Sequence, residues 1–68
     1  MKTLIDVTGQ KIEFDEQVAA EKARRFLDRK FPAAKKHSAS RLKRAIKALE
    51  REARGVEIGA LEREFADG

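Results

Sequence analysis

The chain has 68 residues, 41% of them charged, no cysteine and a formal net charge of +4. That length allows one small domain, and the composition excludes a disulfide framework or a thiolate metal site. The charge is sorted: residues 22–47 hold eleven Lys or Arg and one acid, Asp28, for +10, whereas residues 1–21 and 48–68 each sum to −3.

The first fourteen residues read as a β-hairpin. Ile5 and Val7 alternate with Asp6, Ile12 and Phe14 alternate with Lys11 and Glu13, and Thr8-Gly9-Gln10 supplies the glycine of a tight turn. A two-residue loop flanked by Val7 and Gln10 sets Ile5 opposite Ile12 and Thr3 opposite Phe14. An isolated hairpin is not stable in water, so its apolar face must pack on the helices that follow.

Asp15 is placed to cap a helix over about 15–30, which Pro32 ends. At 100° per residue, Ala19, Ala20, Ala23, Phe26 and Leu27 share one face, while Lys22, Arg25 and Arg29 share another. Pairs between Arg24 and Asp28 and between Arg25 and Glu21 are expected to offset part of this charge. Residues 33–39 form a polar connector carrying Lys35, Lys36 and the lone His37. Ser38 or Ser40 caps a second helix over about 40–54, and Gly55 ends it in the left-handed conformation. Leu42, Ala45, Ile46, Leu49 and Ala53 are its apolar stripe. A third helix over about 57–66 carries Ile58, Leu61 and Phe65 on one face. The fold class is α+β: a short N-terminal hairpin followed by three helices on one small core.

The second helix holds the sharpest functional signal. A charged face opposite an apolar stripe is what any solvated amphipathic helix shows. Here, however, Arg41, Lys43 and Arg44 sit in the first turn, where the helix dipole disfavours cations by about 0.3–1 kcal/mol each. Lys43–Lys47 and Lys47–Arg51 are like-charge pairs four residues apart, each costing about 0.2–0.5 kcal/mol. Glu50 gives partial relief, through Lys47 and Arg54. A self-repelling surface of this kind points to a polyanionic partner or an acidic protein surface. The candidate binding set is therefore Lys22, Arg25, Arg29, Lys30, Lys35, Lys36, Arg41, Lys43, Arg44, Lys47 and Arg51.

Several alternatives weigh less. Phe26 and Phe31 lie among basic residues, as bases stacked on aromatics require, yet Phe26 shares the alanine face and reads as core. The stretch from Ala45 to Phe65 resembles the first two helices of a helix-turn-helix domain, but nothing follows to serve as a basic recognition helix. A ribbon-helix-helix dimer requires a single strand and a short glycine-containing turn. No constellation of carboxylates or of His with an orienting partner supports catalysis, and no cofactor or metal is implied. The N-terminus lacks the apolar run of about 7–15 residues of a signal peptide, and the chain lacks the roughly 20 of a membrane span. A cytoplasmic location is the expectation. The function that follows is a small non-enzymatic, nucleic-acid-binding accessory or regulatory protein that grips phosphates with DNA or RNA as partner. The alternative is a small inhibitor or adaptor docking on an acidic protein. A homodimer is the remaining way to stabilise so small a core.

Overall fold

Asp6 organises the N-terminus. In the computed structural model, which describes residues 1–66, its carboxylate accepts from the Thr8 hydroxyl at 2.6 Å and from the Thr8 and Gln10 amides at 2.9 Å each. These bonds, the Thr8 hydroxyl foremost, hold its carboxyl below the usual range. The Gly9 amide donates to the Asp6 carbonyl and the Asp6 amide to the Gln10 carbonyl, closing a three-residue loop in which Gly9 has φ +87°. This is the turn-plus-left-handed-residue solution to a hairpin, one residue longer than the two-residue loop read from sequence. Strands β1 (Lys2–Ile5) and β2 (Lys11–Phe14) consequently pair with Leu4 opposite Ile12 and Lys2 opposite Phe14. A one-residue slip turns every side chain of a strand over. Leu4, not Ile5, packs against the core, and Ile5 is left exposed.

Helix α1 (Glu16–Lys30) starts at Asp15, whose side chain accepts from the Gln17 and Val18 amides. Helix α2 (Ala39–Arg54) starts at Ser38, which accepts from the Arg41 amide. Its end at Gly55 is doubly closed: Val56 N–H donates to the Arg51 carbonyl and Gly55 N–H to the Glu52 carbonyl, the bond pattern of a Schellman cap. Gly55 has φ +78°, and a Cβ added there would lie 3.4 Å from Val7 Cγ2. Gly55→Ala is therefore expected to lower stability by roughly 1 kcal/mol. A urea melt showing no loss would mean that another residue sets this helix end.

Helix α3 is shorter than the pattern implies. It covers Ala60–Glu64, because Gly59 at φ +71° stands immediately before it. Ile58 therefore precedes the helix and is 96% exposed, although its spacing to Leu61 and Phe65 fits a stripe. On α2, Ala53 is likewise exposed and Ala48 takes a buried place.

The hairpin and the three helices share one core. Five of its buried members are alanines, namely Ala19, Ala23, Ala45, Ala48 and Ala60, which lets backbones approach closely but buries little area. Leu27, Leu49, Leu61, Phe14 and Phe65 supply most of the apolar surface. The hairpin is pinned to the end of α2 by polar bonds. Arg54 Nε donates to the Ile5 carbonyl at 2.7 Å, the Val7 amide donates to the Arg54 carbonyl, and Lys2 reaches Glu50 at 3.3 Å. No helix among the described residues is long and apolar enough to cross a membrane.

Candidate nucleic-acid interface

The connector between α1 and α2 fixes where the charge goes. Phe31 caps α1 through its amide to the Leu27 carbonyl, and a turn closes from the Ala34 amide to the Phe31 carbonyl. His37 then folds back, its Nε2 meeting Asp28 Oδ1 at 2.7 Å, with its side chain only 6% exposed. A carboxylate accepts, so Nε2 carries the proton of this bond. Its Nδ1 is buried without a hydrogen-bond partner. The tie returns α2 antiparallel to α1, so that Val18 and Ala19, near the start of α1, line one groove with Leu49 and Ala53, near the end of α2.

This geometry polarises the helix pair. The connector end gathers Arg29, Lys30, Lys35, Lys36, Arg41, Lys43 and Arg44, whereas the opposite end carries Asp6, Glu13, Asp15 and Glu16. Seven of the block's eleven cations thus lie towards one end, with Asp28 and Glu62 beside them, while Lys22, Arg24, Arg25 and Lys47 lie further along the helices. The block is not one continuous stripe. Arg25 and Arg29 leave α1 on the side away from its buried Ala19, Ala23 and Leu27, Lys22 leaves it at the flank beside Ala19 and Leu49, and Lys43 and Lys47 leave α2 on the side away from Ala45, Ala48 and Leu49. Since α1 and α2 pack on one another, the two sets project in different directions.

The candidates also differ in what holds them. The Arg41 guanidinium lies 4.3 Å from the centre of the Phe31 ring, and that of Arg44 lies 5.0 Å from Phe65. Arg44 further donates to the Glu64 carbonyl at 3.2 Å and approaches its carboxylate at 3.8 Å. Arg51 pairs with Glu57 at 3.4 Å. These arginines bind α3 and the connector to α2, a role suited to a planar group that stacks and donates at once. The pairs expected within α1 do not form: Asp28 goes to His37, and Arg24 and Arg25 have no carboxylate within 4 Å among the described residues. Glu50 goes to Lys2 instead of Lys47 or Arg54. Cross-element partners outbid helix neighbours because each fixes a tertiary contact.

Arg24, Arg25 and Arg29 also stay exposed without an ion pair among the described residues, but most of what remains is lysine. Lys22, Lys30, Lys35, Lys36, Lys43 and Lys47 are exposed and make no ion pair among the described residues. Flexible ammonium groups follow a phosphate backbone without demanding one geometry. Base reading has little to work with here, since Gln17 lies at the opposite end of α1 and Gln10 on the hairpin, and Asn is absent. The phenylalanines are occupied internally. Phe65 packs on Phe26 at 5.9 Å and edge-on to Phe31 at 6.2 Å, which is a core cluster in place of a stacking platform. Two features escaped sequence reasoning: the His37–Asp28 tie, for which no local pattern exists, and the arginine stacking, which requires tertiary neighbours. No protein-family model, no curated protein and no solved structure matches this chain.

Proposed function

We propose that the chain is a small nucleic-acid-binding accessory or regulatory protein that grips the phosphate backbone with the connector end of its helix pair. The observation that carries this reading is the set of exposed, unpaired cations at and beside the connector end. Arg41, Arg44, Arg51 and Arg54 are engaged by rings, carboxylates or carbonyls within the fold. Lys30, Lys35, Lys36, Lys43 and Lys47 are left exposed without a carboxylate partner among the described residues. Like charges gathered at one end raise the energy of the folded chain, and a polyanion relieves them by exchanging its counterions for lysines.

The mode of contact is backbone gripping with little sequence preference, because phosphate contacts position a protein without specifying bases. Fluorescence anisotropy with random-sequence duplex DNA, single-stranded DNA and RNA tests it. Binding is expected at about micromolar dissociation constants, with five lysine contacts giving a logarithmic salt slope of about −4 to −5 on duplex. Absence of binding to all three at low salt would overturn the nucleic-acid reading and leave an acidic protein surface as the partner of the same end.

A further inference from the structure

An open groove of about 370 Å³ lies at the other end of the helix pair, between the end of β2, the start of α1 and the end of α2. Phe14, Val18 and Leu49 line it, Glu13 and Asp15 stand beside them, and Lys22 lies one turn along α1. Phe14 and Leu49 are buried members of the core, but Val18 beside them is 54% exposed. A β-branched side chain in water next to a core that depends on alanines leaves apolar area uncovered where the fold most lacks it.

The helix that carries Val18 is self-complementary. Val18, Lys22, Arg25 and Arg29 follow one another at steps of four, three and four along its outward side. Glu13, Asp15 and Glu16 precede Val18 with no cation after Lys11, whereas Lys22, Arg24, Arg25, Arg29 and Lys30 outnumber Glu21 and Asp28 beyond it. Two such helices laid parallel would set like charges together. Laid antiparallel about a two-fold axis between Val18 and Lys22, each places Lys22 at the partner's groove and Arg25 at the partner's Asp15. In an isologous contact every such pair occurs twice. We infer that this groove and the α1 stripe beside it form a homodimer interface, occupied by a second copy of the same chain.

The contact uses Lys22 and Arg25 but leaves Lys30, Lys35, Lys36, Lys43 and Lys47 clear, so it stands or falls independently of nucleic-acid binding. The acidic C-terminal flank is not needed for it: Glu57 pairs with Arg51 and Arg63, and Glu64 with Arg44, while Asp67 lies outside the described residues. Sedimentation equilibrium at low salt, over a range of protein concentrations, is the test. A reversible dimer is expected, weakened roughly tenfold or more in dissociation constant by Val18→Lys, which faces the partner's Lys22, or by Lys22→Glu. Adding Glu13→Lys to Lys22→Glu should restore most of that loss. Circular dichroism should show the variants folded, since none of the three side chains is buried. A monomer at every concentration, or a dimer indifferent to Val18→Lys and Lys22→Glu, would overturn the proposal. Both single variants weakening the dimer without recovery by the charge swap would overturn its antiparallel arrangement.

Discussion

Replacing Lys35, Lys36, Lys43 and Lys47 together by Glu is expected to lower the affinity for duplex DNA by roughly two orders of magnitude or more and to leave the fold intact. Four contacts that release counterions become four that repel phosphate, and each lysine lost should reduce the logarithmic salt slope by about one. All four side chains are exposed and make no ion pair among the described residues, so the core loses nothing. Stability should hold or rise slightly. Helix α2 starts at Ala39, so Lys43 and Lys47 lie beyond its first turn and any gain comes from the pairs they make along the helix. Glu at 47 faces Arg51 one turn on, replacing a like-charge pair by an opposite one. Anisotropy titrations at several salt concentrations, with thermal melts of the same samples, read both halves of this expectation. Unchanged affinity and slope would remove the connector end as the binding surface. Unfolding of the variant would show these lysines to be structural.

Arg51 is left out of that set because it has a partner within the fold, although the sequence groups it with the lysines. On a helical wheel it continues the row from Lys43 and Lys47, and nothing local distinguishes it. Its distinguishing feature is Glu57, beyond the Gly55 bend, which the fold returns to 3.4 Å from it. The ring contacts of Arg41 and Arg44 were hidden from the sequence for the same reason: Phe31 and Phe65 meet them only once the connector and α3 have folded back. Features set by short-range chemistry were legible. Asp15, Ser38 and Gly55 act at the three helix ends where their residue types place them, and the α+β architecture follows from the change of apolar period after Phe14. The hairpin register was missed because it turns on one choice, whether the loop has two residues or three. That choice was decided by the Asp6 carboxylate, which gathers Thr8 and Gln10. The lysine surface was legible in composition but not in shape, since antiparallel packing divides it between two outward faces.

Phe65→Ala is expected to cost about 3–5 kcal/mol, which is most or all of what a single core of this size supplies, so the variant should be largely unfolded in water at 25 °C. Phe65 is 4% exposed, touches Phe26 from α1 and Phe31 from the connector, and lies under the Arg44 guanidinium of α2. Removing the ring therefore loosens four segments at once. Ile58→Ser is the informative companion. The spacing of Ile58, Leu61 and Phe65 on one helical face assigns the first and last residues the same role, but Gly59 ends that equivalence, since α3 starts only at Ala60. With its side chain in water, Ile58→Ser should change stability by no more than about 0.5 kcal/mol. Urea melts of the two variants, compared at equal slope with the parent chain, decide the matter. A loss at Ile58 comparable to that at Phe65 would show that the helix begins before Gly59 and that Ile58 packs inward. A small loss at Phe65 would mean that the aromatic cluster does not bind α3 to the other helices.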